Sequence, residues 1–148
     1  MSDPMKRAEG ILCDEELLPA LGRVTWAAIR LHHGVRDALG HILGPSDEYF
    51  DDTLGRAVSR LEVEAQHVAE PRQTALIDWC EQVGRPVVEQ RNGVLHAIAY
   101  TDPDGRQALR GSTPDRPSRY LEPELLTVAG ELDLASLALP PGPYPLRL

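Results

Sequence analysis

The residues of this chain best suited to chemistry are Arg91, Asn92 and His96, in the stretch VVEQRNGVLHAIAY that runs from 87 to 100. A guanidinium offers paired donors to phosphate or carboxylate oxygens and stays charged at any working pH. An imidazole titrates near neutrality, so it can give or take a proton. Asn92 is placed to orient His96 or to hold the backbone of a ligand. Together they make an anion clamp with a proton carrier. In a helix the neighbours of Arg91 at three and four positions are Val87, Val88, Val94 and Leu95, none of them an acid. Burying a guanidinium without a partner is costly. Arg91 must therefore line a cleft, meet an interface, or reach an acid on another element such as Glu62 or Asp78. Tyr100 and Arg106, further along the chain, are candidate substrate-binding residues. The remaining histidines (32, 33, 41 and 67) form no HExxH or carboxylate-bracketed set, so neither a metal nor another cofactor is expected.

An arginine followed by a histidine after four to six residues occurs three times: Arg36–His41, Arg60–His67 and Arg91–His96. Context separates them. Arg60 has Glu64 at i+4 on an outer helix face. Arg36 stands beside Asp37 near a helix end, where a basic residue favours the helix dipole. Arg91 is surrounded by apolar positions, while Glu81, Arg85 and Glu89, spaced by four, already make the charged outer face of that segment. Positions five apart on a straight helix point about 140° from each other, so Arg91 and His96 would not converge. Asn92 and His96, four apart, would share a face, with Val88 above and Tyr100 below. Convergence needs a distortion, for which Gly93 is well placed, or a second subunit, which a symmetric dimer supplies.

RNGVLH, Arg91 to His96, resembles the Arg–(four to six residues)–His signature of the HEPN superfamily, including the polar residue that often follows the arginine. The layout is similar too, with long helices first and the motif in a late helix. That resemblance implies a small helical bundle that forms a homodimer and acts as a metal-independent endoribonuclease. The Arg and His of both protomers would meet in a cleft at the dimer interface, in a setting of defence or stress response. RNA cleavage by internal transfer needs a 2′-hydroxyl deprotonated, charge on the phosphorane stabilised and the leaving oxygen protonated. Arg91 suits the second task, and two copies of His96 suit the other two. One subgroup partnered by nucleotidyltransferase antitoxins carries a Tyr two residues after the histidine. Here that position is Ile98, a departure from the pattern expected for a cognate antitoxin as partner. The alternative is a non-catalytic helical homodimer that binds a nucleotide or a partner protein.

The elements that must position these residues follow from periodicity. Apolar residues at Leu17, Leu21, Val24, Ala28, Leu31, Val35, Leu39 and Ile42 predict one long helix over 14–43, stopped by Gly44-Pro45. Thr53 caps a second helix that ends before Pro71. A third covers 72–83. Gly84-Arg85-Pro86 predicts a break or sharp kink, and a fourth helix from 86 to about 98 carries the motif. The Pro-Asp-Gly turn in TDPDGR predicts a small hairpin between AIAYT and RQALR, although the first run also fits a continuation of the helix. A loop, GSTPDRPSR, precedes a last helix at 122–138 with Leu125, Leu126, Ala129, Leu132 and Leu137 inward. The expected fold is mainly α: an up-down bundle of four to five helices with a small β-hairpin before the last helix. Residues 1–139 form a single domain, and 140–148 are a Pro-rich tail, extended or disordered.

Composition sets the outer bounds. The chain has 148 residues and a net charge of −8, which speaks against a general nucleic-acid coat. Residues 85–119 are the exception, with six arginines against four acids, and they contain the motif. No apolar run approaches the roughly 20 residues of a membrane span. The polar N-terminus has no signal-like apolar stretch. Cys13 and Cys80 suggest no disulfide framework, and a reducing cytoplasm is the expected compartment. Cys80 reads as a buried thiol, Trp26 and Trp79 as core or interface packing, and His32-His33 as a half-buried pair without a role.

Overall fold

A computed structural model describes residues 3–11, 13–45, 48–111 and 119–148. The chain is mainly helical, with a two-stranded antiparallel hairpin before the last helix. A short helix, α1 (Pro4–Glu9), was not foreseen. Asp3 caps it by accepting from the Met5 amide, and it buries nothing. The long α2 (Leu17–Leu43) follows the predicted seam: every position of that seam is buried except Leu21, which is half-buried. Gly44, at φ +76°, ends it in a conformation open to glycine. The helix starts at Leu17 rather than at Asp14, which places Pro19 in the first turn, where no amide hydrogen is needed.

Thr53 caps α3 (Leu54–Glu64), accepting from the Arg56 amide at 3.3 Å, and the helix tightens into a 3₁₀ turn over Ala65–His67. Beyond Pro71, α4 (Arg72–Trp79) runs into α5 (Arg85–Leu95). The predicted break at Gly84 does not occur. A π-helical turn, Cys80–Gly84, joins the two without interruption. Pro86 has no amide hydrogen and would clash with the carbonyl four residues back; widening the turn relieves both problems. Glycine is required there for a second reason. A Cβ on Gly84 would lie 2.9 Å from the Trp79 ring and 3.0 Å from Val58. Trp79 cannot easily yield, since it is buried and its Nε1 donates to the Ala135 carbonyl at 3.0 Å. That knot ties α4, α5 and α3 to the last helix.

The hairpin pairs β1 (Ile98–Thr101) with β2 (Gln107–Arg110), in register Ile98 to Arg110 and Thr101 to Gln107. The first run is therefore strand, and α5 ends at Leu95, three residues short of the expected limit. Gly105, at φ +86°, makes the turn. Asp14 and Gln107 exchange two hydrogen bonds of 2.7 Å, which dock the hairpin beside the start of α2. Asp102, 8% exposed, is paired with Arg119. Of the loop expected at 111–119, residues 112–118 lie outside the described residues. The last helix, α6 (Glu122–Ala138), packs along α2 with Leu125, Val128, Ala129, Leu132 and Ala135 buried, whereas Leu137 is exposed. Its inward stripe thus drifts from the expected positions toward Ala135, the acceptor for Trp79.

The tail takes the extended alternative. Ala69 donates to Pro145 and Arg147 to His67, at 2.6 and 2.7 Å, and Tyr144 is buried against the bundle. Among the described residues no helix is long and apolar enough to cross a membrane.

Candidate functional site

α5 presents the motif residues to three different places. Arg91 faces α2 across a cavity of about 90 Å³ lined by Thr25, Ala28, Ile29, His32, Leu54 and Leu95. Its Nη1 donates to Asn92 Oδ1 at 3.1 Å, and among the described residues it joins no ion pair. The two acids that offered a structural partner are absent from it: Glu62 is taken by Arg85, and Asp78 is exposed. Val87, Val88 and Val94 seal the helix against the core, so only the cavity is left to Arg91.

Asn92 lines a separate hollow of about 550 Å³ with Gly55, Ser59, Arg85 and Val88. It is thus turned partly away from the cavity while its amide oxygen steadies Arg91. His96 is the C-cap of α5, at φ −96° and ψ 9°, with its amide bonded to the Asn92 carbonyl at 2.9 Å. Its side chain is exposed. No hydrogen bond or ring contact joins His96 to Arg91. Gly93 remains helical and buried, so the distortion that would bring the two together within one protomer is not made there.

Tyr100 is half-buried on β1, opposite Ala108. Because α5 stops at Leu95, Tyr100 does not continue the Asn92–His96 face. Arg106 stands at the far end of the hairpin, in an ion pair of 3.0 Å with Glu16, in a recess that also contains Asp14 and Glu122. The other two arginine–histidine pairs are occupied locally. Arg60 bonds Asp52 at 2.7 Å rather than Glu64. Arg36 donates to the Phe50 carbonyl at 2.7 Å with its guanidinium 5.6 Å from the Phe50 ring centre, and His41 leans on Tyr144.

His32 is the site residue that spacing did not reveal. It lies on the wall facing Arg91, and its pKa is held below the ordinary 6.5 by burial first and by the Arg36 and Arg91 charges after that. His33, next to it, is exposed and 3.4 Å from Asp37. The only signal in the sequence was helical: His32 and Arg36 are four apart and share a face with Ile29.

Ile29 and Leu95, which line the cavity, are each more than half exposed. Trp26, 65% exposed and so not core, lines a separate hollow with Leu126 and Ala129 of α6, and Ile98 on β1 is 59% exposed. Among the described residues no three His, Cys, Asp or Glu side chains cluster as metal ligands would. Comparison of the chain with family models, with curated proteins and with solved structures returned no match.

Proposed function

We propose that the chain is a metal-independent, HEPN-like endoribonuclease that works as a homodimer. The observation that carries this reading is Arg91: a half-buried guanidinium that faces a cavity, takes one amide as its neighbour and has no acid partner among the described residues. Such a group supports the fold little and is suited to an anion. Asn92 fixes its position. His96, exposed at the helix end, is free to exchange protons with a substrate. Since Arg91 and His96 do not converge in one protomer, the working site takes its second set of residues from another copy. In the reaction, one His96 accepts the 2′-hydroxyl proton as the 2′-oxygen bonds to phosphorus. The bond from phosphorus to the 5′-oxygen breaks, and the other His96 protonates that oxygen. Arg91 holds the phosphorane charge throughout. The exposed apolar side chains of Ile29 and Leu95, which line the cavity, are the natural seat of the second copy. Cleavage of mixed RNAs in EDTA, by wild type and by Arg91→Ala and His96→Ala variants of unchanged circular dichroism, tests the reading. Activity lost in both variants supports it; RNA left intact by the wild type sinks it.

The exposed Trp26 favours a second reading, a non-catalytic homodimer that binds a nucleotide or a partner protein. Sedimentation of Leu95→Asp and Trp26→Ala separates the surfaces: the nuclease reading expects Leu95→Asp to sediment as a monomer, without RNA cleavage.

A further inference from the structure

Arg91 faces a histidine with an unmet hydrogen-bonding capacity. Nε2 of His32 is buried without a partner, and one turn along α2 the Nε of Arg36 is in the same state. The Asp52 backbone beside the ring favours a proton on it and partly offsets the lowering of its pKa. With Nε2 buried and unpartnered, the Asp52 carbonyl favours the tautomer protonated at Nδ1, which puts the lone pair on Nε2. Burial and the two neighbouring guanidiniums keep the ring neutral, so near pH 7 it is an acceptor that lacks a donor. The acid on this side, Asp52, is engaged by Arg60. A buried acceptor left unsatisfied is unfavourable, and a ligand hydroxyl would satisfy it.

We propose that the cleft between α2, the start of α3 and α5 is a binding subsite for a ribonucleotide phosphate and its neighbouring hydroxyl, with Arg91 donating to the phosphate oxygens and His32 Nε2 accepting from the hydroxyl in the bound state, before that hydroxyl turns to His96 for proton transfer. The choice of a ribonucleotide rests on the nuclease reading above; the pairing of a fixed cation with a fixed acceptor comes from the cleft itself. A cavity of about 90 Å³ has room for about three waters, the scale of one phosphate group. Ile29 and Leu95, 54% and 53% exposed in the single chain, line the outer side of the cavity, so the second copy seated there would close it over a bound ligand. Arg36, pinned to Phe50, does not line the cavity but adds positive potential beside His32. A site of this kind distinguishes ribose from deoxyribose, because only ribose carries the donor that His32 lacks.

The test is a titration of the full chain, labelled with ¹⁵N-histidine, by a ribonucleoside 3′-monophosphate and by its 2′-deoxy counterpart. The ribonucleotide is expected to shift the His32 Nε2 resonance. The deoxy form should bind roughly 3- to 10-fold more weakly, the worth of one hydrogen bond. His32→Leu should erase the difference between the two ligands, His32→Gln, which keeps an acceptor oxygen, should retain part of it, and Arg91→Met should weaken both alike. The comparison of ligands on the wild type needs no variant to fold. Equal affinities, an unmoved His32 at saturation, or no binding of either nucleotide at millimolar concentration overturns the proposal. Binding with ribose preference but no RNA cleavage would refute the nuclease reading alone; cleavage with a silent His32 would refute the subsite alone.

Discussion

Replacing Arg91 by methionine separates a residue kept for its chemistry from one kept for the fold. Methionine preserves the apolar stem beside Ile29 and Leu95, has a helix propensity close to that of arginine, and removes the charge. What is lost is one hydrogen bond to Asn92, worth about 0.5–1.5 kcal/mol net, less in a half-exposed position. What is regained is the desolvation of a guanidinium with no acid partner among the described residues. These nearly cancel, so stability should stay within about 0.5 kcal/mol of wild type, or roughly 2 °C in Tm for a chain of this size. The contrast is Arg119→Met. It strips the guanidinium from Asp102, a carboxylate only 8% exposed, and should cost about 2 kcal/mol, lowering Tm by roughly 4–8 °C. Urea and thermal unfolding followed by circular dichroism would measure both. If Arg91→Met destabilises as much as Arg119→Met, Arg91 has a structural partner, and its role as an anion clamp loses its basis.

Gly84→Ala should destabilise by about 1–3 kcal/mol, because its methyl group meets Trp79 and Val58, while Gly130→Ala, with nothing within 4 Å, should stabilise by about 0.5–1 kcal/mol; chemical unfolding checks the opposite signs. Burial pushes the Cys80 thiol up to about 12, so a thiol reagent at pH 8 should label Cys80 only as fast as the protein unfolds, which mass spectrometry of the labelled peptides would report. The depressed pKa of His32 means that the unfolded chain binds the extra proton first. Its contribution is complete above pH 6.5 and is lost as pH falls from there through the folded pKa, so a His32→Leu variant should show a shallower loss of stability over that window.

The helices were legible in the sequence wherever one apolar stripe met one solvent face. The α2 seam from Leu17 to Ile42 and the Thr53 cap needed only period and a hydroxyl, and the Pro-Asp-Gly turn announced the hairpin. Of the break or sharp kink expected at Gly84-Arg85-Pro86, the break is absent and a π turn stands there instead. Tertiary packing overrode local propensity there, since Trp79 and Val58 fill the space beside Gly84 and a π turn absorbs the proline. Arg91 was conspicuous because its helical neighbours are apolar. His32 was hidden because its neighbours are non-local: the Asp52 backbone beside it and the Arg91 opposite lie 20 and 59 residues away in the chain. The exposure of Trp26 was legible in the α2 period, because it stands two residues, about 200° of helix, from both Val24 and Ala28 on the buried seam.

If Arg91 and His96 act as proposed, RNA is cut by attack of its own 2′-hydroxyl. Mass spectrometry of the products from a defined oligoribonucleotide, cleaved in EDTA, tests it directly, with a substrate carrying a single 2′-deoxy residue at the cut position as control. The predicted result is a 2′,3′-cyclic phosphate end and no cut at the deoxy position. Intact RNA, or ends bearing a 3′-hydroxyl and a 5′-phosphate, would contradict the account.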